Sequence, residues 1–306
     1  ILGGKNPHIQ NLCVGGVATA LNMDNLATLN MERIAYLKAL MTETREFVKK
    51  VYYPDLLVIG KAYKDWFKHG KGVVNYLAVP EFPEDTKNTS FALPGGLIMG
   101  GDVAKARVIS THQDQQLIGS IKESVACAWY EGKSVLHPWE GETKPDYTDF
   151  QENGKYSWCK APRIDGKPIQ VGPIAQLLAG YAAGNQRVRK LVDSTCKAAG
   201  VGVADLHSTM GRLAARGIRA HLLSDLSLEY LDKLVDNVGK GDKSYANHTE
   251  IPSGEHRGVG FHEAPRGVLS HWMVIKNKKI KNYQAVVPST WNASPRDAEG
   301  NAGPYE

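Results

Sequence analysis

The chain has 306 residues, of which 42% are hydrophobic and 23% charged, and it carries a formal net charge of +5. This composition excludes an intrinsically disordered chain, and the length permits one large domain or two of ordinary size. Acidic and basic residues are interleaved, and the dense basic run at residues 276–281 is typical of a soluble hairpin tip. Nucleic-acid binding is therefore not expected, and no apolar run is long enough for a membrane span.

The first part of the chain is predicted to be helical. Apolar or small residues recur at three-and-four spacing over residues 31–53, which predicts a long helix with one buried face. Pro54 is expected to end that helix, because proline disfavours helical geometry in the residue before it. Residues 55–70 are predicted to form a shorter helix. Glycine and proline punctuate residues 71–110, so this segment is predicted to be an irregular β-containing insertion.

Helical spacing returns in the middle of the chain. Residues 114–130 are predicted to form a helix, and residues 136–170, rich in Pro, Gly and Asp, a long ordered loop or β-arm. Two more helices are predicted over residues 174–183 and near residues 186–199. A strongly helical segment of about thirty-five residues then covers residues 203–238.

These elements predict the fold class. Long helices with small residues at their contacts favour a bundle over a doubly wound sheet. We therefore predict a mainly α fold, a long-helix bundle with peripheral β-hairpins and arms. No internal boundary is evident, so residues 1–306 are predicted to form a single domain.

The cysteines are far apart in the sequence and form no C-x-x-C pair. They are Cys13, Cys127, Cys159 and Cys196. Neither a zinc knuckle nor a dithiol motif is predicted, and we expect buried free thiols. Patterns for serine hydrolases, zinc proteases and phosphate-binding loops are also absent from the sequence. Lys5 and His8 lie in a glycine- and proline-rich turn, which alone is a weak functional signal.

Several cationic or imidazole side chains lie along the long predicted helix. They are His207, Arg212, Arg216, Arg219 and His221. A spacing of four residues places Arg212 and Arg216 on one side of the helix. These residues are interpreted either as ligands or proton carriers, or as members of ion pairs within the bundle. The second interpretation is favoured, because the sequence identifies no carboxylate that would work with these residues as ligands or proton carriers.

A predicted hairpin near the end of the chain carries the clearest functional signal. Its β-rich runs, residues 267–276 and 280–287, are expected to bring Arg266 and Ser289 close together at matching ends. A guanidinium with fixed donors and a hydroxyl suit a small anionic ligand in a dry pocket. The alternative, an arginine that caps backbone carbonyls in a structural hairpin, is equally compatible with the residues alone.

Ordered motifs along almost the whole chain resemble the large subunit of nickel–iron hydrogenases, most closely the membrane-associated uptake group of enterobacterial type. The motifs are GGKNPH, VGGV, NMERI, PGG, AWY, YSWCKAPR, VGPIA, HSTMGR, GVGFHEAPRG and YQAVVPSTWN. This resemblance implies an active centre of nickel bridged to an iron that carries two cyanides and one carbon monoxide. It also implies that Pro265, Arg266 and Ser289 surround these diatomic ligands.

The resemblance implies further roles around the same centre. Leu269, Val286 and Pro288 match positions of an apolar wall that carbon monoxide tolerates. The resemblance also implies that Arg266 overhangs the open coordination site and helps to split dihydrogen heterolytically, either as a proton acceptor or as an electrostatic aid. The second role is favoured, because arginine is a poor base. Ala285 matches a position whose backbone carbonyl binds a structural magnesium, directly or through water.

Two departures from the family pattern limit the resemblance. The family binds nickel and iron through cysteines of two C-x-x-C motifs, and this sequence contains neither. No nickel ligand is named. The chain is expected to be an internal part of a larger subunit, and this part alone is expected to be inactive. Gln170 occupies a place where the family commonly has glutamate, which puts a proton-relay role there in doubt.

The resemblance implies reversible oxidation of dihydrogen to protons and electrons, an oxidoreductase activity. The expected partner is a small subunit whose iron–sulfur clusters receive the electrons. The expected location is the periplasmic face of a membrane, with membrane association through partners. The alternative is the nickel-free quinone-reductase subunit related to respiratory complex I, which lacks the YQAVVPSTWN motif. A non-catalytic scaffold is a third possibility.

Overall fold

The structure is a computed structural model that describes residues 12–13, 16–17, 30–132, 135–242 and 250–306. The α-helices are α1 (Met31–Phe47), α2 (Tyr53–Ala62), α3 (Gln115–Ser120), α4 (Pro173–Ala182), α5 (Gln186–Ala199), α6 (Thr209–Gly239) and α7 (Pro288–Asn292). The strands are β1 (Leu12–Cys13), β2 (Gly16–Val17), β3 (Tyr76–Ala78), β4 (Glu81–Pro83), β5 (Phe91–Leu93), β6 (Gly95–Ile98), β7 (Arg107–Ile109), β8 (Ile121–Ser124), β9 (Val135–Leu136), β10 (Ala161–Ile164), β11 (Gln170–Val171), β12 (Glu255–Ala264), β13 (Gly267–Lys276) and β14 (Lys279–Val286).

The chain divides into two compact units. The first consists of Ile1–Asp55 and Ala220–Pro252, and the second of Leu56–Arg219 and Ser253–Glu306. Helices account for 42% and strands for 23% of the structure. The predicted mainly α class is therefore only loosely supported, because strands form a large part of the second unit.

The described part of the first unit is a pair of helical segments. The Asn30 side chain accepts a hydrogen bond from the backbone N–H of Arg33 at 2.9 Å and so caps α1. Ile34 and Leu37 of α1 are buried against Leu231 of α6. Burial of these apolar faces supplies most of the driving force for the pairing, since isolated helices are marginal in water.

Charged side chains fix the direction of this pairing. Lys38 binds Asp232 at 2.7 Å, while Arg45 and Lys49 both bind Asp225 at 2.6 Å. Higher numbers in α1 meet lower numbers in α6, so the segments are antiparallel. The pairs are partly or well exposed, and such pairs contribute little to stability.

Pro54 does not end the first helix, contrary to expectation. Helical geometry continues through a π-helical segment, Val48–Tyr52, into α2, where Pro54 is the second residue. Pro54 is thus interior to a continuous helical stretch, and the π-helical turn directly before it is the kind of local irregularity that accompanies a proline inside a helix.

The second unit is built around sheets. A four-stranded sheet has the order β11-β3-β6-β7, and α4, which is almost entirely buried, packs on its strands β3 and β6. A three-stranded antiparallel sheet has the order β12-β13-β14. Leu77 and Val79 from the region of β3 share one hydrophobic cluster with Trp272 of β13 and Val286 of β14. The hairpins are therefore part of the core, and the expectation that they are peripheral is wrong.

The hairpin itself follows the sequence pattern closely. β13 has the predicted bounds, and β14 begins and ends one residue before the predicted run. Asn277 and Lys278 at the tip have φ values of 51° and 63°, the left-handed geometry of a two-residue turn that matches strand twist. β12 pairs with β13 from Glu255 to Ala264 and was not predicted.

The predicted helix over residues 114–130 is wrong beyond its first turns. α3 ends at Ser120, and the chain continues as β8, which pairs with β10 from Ile121 to Ser124. Backbone pairing with a segment about forty residues later overrides the helical spacing of the apolar residues. The long helix also begins later than predicted, at Thr209, where the Ser208 hydroxyl accepts a hydrogen bond from the Gly211 N–H at 3.0 Å.

Cys127, Cys159 and Cys196 are free thiols, as predicted, but of these three only Cys196 has the predicted burial. Cys196 is buried, and burial raises its pKa to about 11, whereas Cys127 and Cys159 are only half-buried. The side chain of Cys13, together with Lys5 and His8, lies outside the described residues. Within the described ranges, no helix is both long and apolar enough to cross a membrane.

Candidate functional site

Two glycines allow the turn that carries Arg266 to approach α4 closely. Gly267 has a φ of +127°, and a Cβ there would stand 2.5 Å from the backbone nitrogen of Gly172. Gly172 has a φ of +123°, and a Cβ there would stand 3.0 Å from the carbonyl oxygen of Arg266. Only glycine fits this approach, because both the space and the backbone conformation exclude a side chain. The turn is thereby fixed against the start of α4.

Ser289 reaches the same end of the hairpin from the other strand. Val286, the last residue of β14, pairs with Ser270 of β13, and Ser289 follows three residues later in α7. Pro288 occupies the first turn of α7, where its fixed φ favours helix initiation. The chain therefore turns into α7 at Pro288 and does not extend β14 past the sheet.

Arg266 and Ser289 line one cavity of about 190 Å³. The full lining is Gln170, Val171, Pro173, Ile174, Arg212, Arg216, Arg266, Ser289, Asn292, Pro304 and Tyr305. The convergence of Arg266 and Ser289, expected from the hairpin pattern, is therefore observed. All of these residues belong to the second unit.

The cavity has a positive wall. Arg212 is held in place, since it donates to the Gln170 side chain at 2.8 Å and to the Lys71 carbonyl at 3.0 Å. Arg216 and Arg266 have no hydrogen-bond or ion-pair partner in the described part of the chain. The lining contains no carboxylate. Two free guanidinium groups and a hydroxyl can therefore donate to an anion or another strong acceptor.

Neutral groups form the rest of the wall. Asn292 accepts from the Val171 N–H at 3.0 Å and donates to the Val171 carbonyl at 3.1 Å, which ties α7 to β11. Pro173 and Ile174 add apolar surface. Both Arg266 and Ser289 are exposed, so within the described residues the cavity is open to solvent and is not the dry pocket expected.

The remaining residues implied by the resemblance do not line this cavity. Pro265 is exposed in the turn, and Leu269 is half-buried in β13. Val286 is fully buried in the hydrophobic cluster, and Pro288 is buried at the start of α7. Ala285 is exposed in β14, opposite His271. Their roles stay predictions.

A buried polar cluster next to this site was missed by the sequence interpretation. The Arg219 Nε donates to Gln176 at 2.6 Å, and its Nη2 donates to Glu81 at 3.1 Å. Gln176 also donates to Glu81 at 2.7 Å. The interpretation of the helix arginines as ion-pair members therefore holds for Arg219. It does not hold for Arg212, which donates to neutral acceptors, or for Arg216, which has no partner among the described residues.

Glu263 lies beside this cluster and is chemically unusual. One carboxyl oxygen accepts from the Val79 N–H at 2.9 Å, and the other is buried without a partner. Burial raises the pKa of Glu263 to about 8, which the nearby Glu81 carboxylate reinforces. Glu263 is therefore largely protonated at neutral pH, and its proton is held inside the protein.

A second polar group lies beside Ala285. Lys160 donates to the Gln284 side chain at 3.1 Å and to the carbonyl of Glu142 at 2.9 Å. Burial raises the pKa of the nearby Glu123 to about 7, although the Lys160 ammonium opposes this shift. In the described ranges, no group of three His, Cys, Asp or Glu residues is arranged to hold a metal ion.

Comparisons with known proteins identify the family and relatives of this chain. A family model described as nickel-dependent hydrogenase matches residues 1–306. The hydrogenase-2 large chain of Escherichia coli (strain K12) is 48% identical over 313 residues, covering 100% of this chain and 55% of that protein. The uptake hydrogenase large subunit of Rhizobium leguminosarum bv. viciae is 40% identical over 333 residues, with the same coverage of both.

Solved structures give the same result for the fold. A [NiFeSe]-hydrogenase from Dm. baculatum matches with a TM-score of 0.80 and 31% identity, covering 100% of this chain and 58% of that one. The Ni-Fe-Se hydrogenase from D. vulgaris Hildenborough in its as-isolated oxidized state matches with a TM-score of 0.79 and 30% identity, covering 100% and 59%. The chain thus spans little more than half the length of these relatives.

Proposed function

Because this chain belongs to the family of nickel-dependent hydrogenases, we propose that its full-length protein is a nickel–iron hydrogenase large subunit that oxidises dihydrogen reversibly. The observation that carries this proposal is that Arg266 and Ser289 line one cavity, with their donors available. Relatives named as hydrogenase-2 and uptake hydrogenase chains support the same activity.

The donors at the cavity fit the outer part of a nickel–iron centre. Cyanide nitrogens are strong acceptors, so the Arg266 guanidinium and the Ser289 hydroxyl suit them. Carbon monoxide accepts weakly, and we propose that it lies toward Leu269, Val286 and Pro288. We propose that the metal ligands are the cysteines of the two C-x-x-C motifs of the family pattern, which this sequence does not contain.

The proposed mechanism uses the fixed charge of Arg266. When bound, the nickel–iron centre supplies the site at which dihydrogen is split. The Arg266 guanidinium has donors and no acceptor, so it stabilises developing negative charge rather than accepting a proton. The close glycine contacts at the turn keep the Arg266 backbone in place, which lowers the reorganisation that the reaction requires.

The remaining parts of the proposal rest on the resemblance of the sequence motifs to the family. We propose a small iron–sulfur subunit as the electron-accepting partner, and a periplasmic location with membrane association through partners. The Ala285 carbonyl is proposed to bind a structural magnesium, directly or through water. The nickel-free quinone-reductase alternative is not favoured, because the nickel-dependent family model matches the whole chain and the relatives are hydrogenase chains.

Metal analysis of the full-length protein, purified with its partner, tests the proposal. We expect about one nickel per large subunit together with dihydrogen-dependent reduction of an artificial acceptor dye. A protein that contains no nickel and reduces no dye with dihydrogen would instead fit the quinone-reductase alternative or a scaffold. Preparations from cells grown without nickel provide the control, because they should lose the activity while keeping the polypeptide.

A further inference from the structure

The buried cluster of Glu81, Gln176 and Arg219 is built from elements that also form the cavity. Three cavity residues each have a partner three positions away in the sequence that belongs to the cluster or, for Glu263, contacts it. The pairs are Pro173 with Gln176, Arg216 with Arg219, and Arg266 with Glu263. On a helix, residues three apart lie on the same face one turn away. The cluster therefore lies next to the cavity along the same elements.

Arg219 holds the backbone that leads directly into Arg266. Its Nη2 donates to the carbonyl of Glu263 and its Nη1 to the carbonyl of Ala264, both at 3.4 Å. These contacts are long, but the donor is charged and the acceptors are consecutive. A planar guanidinium can hold two consecutive carbonyls at once, which an ammonium cannot do with the same geometry.

Arg219 is itself held rigidly. Glu81 and Gln176 both bind it and also bind each other, which closes a ring of three hydrogen bonds. The exposed fractions are 8% for Glu81, 1% for Gln176 and 6% for Arg219. A buried ion pair of this kind adds little net stability compared with apolar packing, but breaking it is costly. Such a ring therefore fixes geometry more than it adds stability.

We propose that Arg219, locked by Glu81 and Gln176, is a positioning residue that holds the Glu263-Ala264 backbone and so sets the place of the Arg266 guanidinium at the cavity. The catalytic consequence rests on the proposed hydrogenase function. The geometric part does not, because it concerns only the mobility of the turn between β12 and β13.

An Arg219→Lys variant of the full-length protein with its partner tests this proposal. The lysine keeps the charge opposite Glu81 but lacks the planar fork. We expect amide hydrogen exchange in the peptide covering residues 264–267 to become about tenfold faster, with little change elsewhere. We also expect turnover per bound nickel to fall by about tenfold to a hundredfold, since misplaced catalytic groups cost this much.

Arg163→Lys is the matched control. Arg163 is equally buried, binds Asp297 at 2.7 Å and also donates to the carbonyls of Pro295 and Asn301, but it does not line the cavity. This variant should leave exchange at residues 264–267 and turnover per nickel unchanged. The proposal is overturned if both variants change alike, if exchange at residues 264–267 is unchanged in Arg219→Lys, or if faster exchange leaves turnover intact. Absence of nickel and activity from the wild type would defeat the proposed function, while the exchange measurement would still decide the proposal.

Discussion

Replacing Arg266 by lysine is expected to lower dihydrogen oxidation by about a hundredfold or more, since removing one preorganised donor at a reacting centre costs this much. The lysine keeps the positive charge but loses the rigid fork of donors that stands at the cavity. Arg266 is exposed and has no partner among the described residues, so the substitution should hardly change the free energy of unfolding. Turnover per bound nickel, measured with an artificial acceptor, gives the result.

Arg257→Lys is a suitable control for this prediction. Arg257 lies on β12 in the same sheet and is also exposed, but it faces Glu140 at 3.7 Å and does not line the cavity. Its variant should keep full turnover. Equal turnover in the wild type and in Arg266→Lys, at equal nickel content, would show that the guanidinium has no role in the reaction.

The largest effect on stability is expected for Asp297→Ala. Arg163 and Asp297 form an ion pair at 2.7 Å, with side chains that are 4% and 7% exposed. The substitution leaves the Arg163 charge buried without its carboxylate, which costs about 3–5 kcal/mol. Asp297 also accepts from the backbone N–H groups of Glu299 and Asn301, so the loop after α7 loses its anchor. Denaturant unfolding of the full-length protein at pH 7 measures this loss.

The same pair predicts a dependence on pH. Burial tends to raise the pKa of Asp297, but the hydrogen bonds from Arg163 and Asn301 outweigh it and hold the pKa below its usual value. A lowered carboxyl pKa gives stability that is present above the ordinary value of 3.8 and is lost as the pH falls below it. The difference in unfolding free energy between wild type and Asp297→Ala should therefore shrink below pH 4. The Asp232→Ala variant, which removes one partner of an exposed pair, should have nearly the same free energy of unfolding as the wild type both at pH 7 and below pH 4.

Elements with local signals at both ends were predictable from sequence. α5 has its predicted bounds, because Asn185 caps its start and Gly200, at a φ of +66°, ends it. β13 was predictable because its residues favour strands and turn residues follow it. β8 was not, because Leu117, Ile121 and Val125 fit helical spacing and only pairing with β10 decides for a strand.

In the site, too, the local features were predictable from sequence and the long-range contacts were not. The hairpin pattern predicted that Arg266 and Ser289 converge, since strand register is a local property. Gln170 and Arg216 join the cavity from segments far away in the sequence, so no spacing could place them there, whereas Asn292 lies one turn after Ser289 in α7. The ring of Glu81, Gln176 and Arg219 joins residues as far as 138 positions apart, and an interior carboxylate gives no local signal before its partner is known.

Infrared spectroscopy of the full-length protein tests the central claim, that Arg266 and Ser289 donate together to ligands of one metal centre. Cyanide and carbon monoxide stretches are resolved from protein bands, and a lost hydrogen bond changes the cyanide frequency directly. We predict that Ser289→Ala and Arg266→Lys each shift cyanide bands and leave the carbon monoxide band nearly in place. Cyanide bands that stay unshifted in both variants, at wild-type nickel content, would contradict the account.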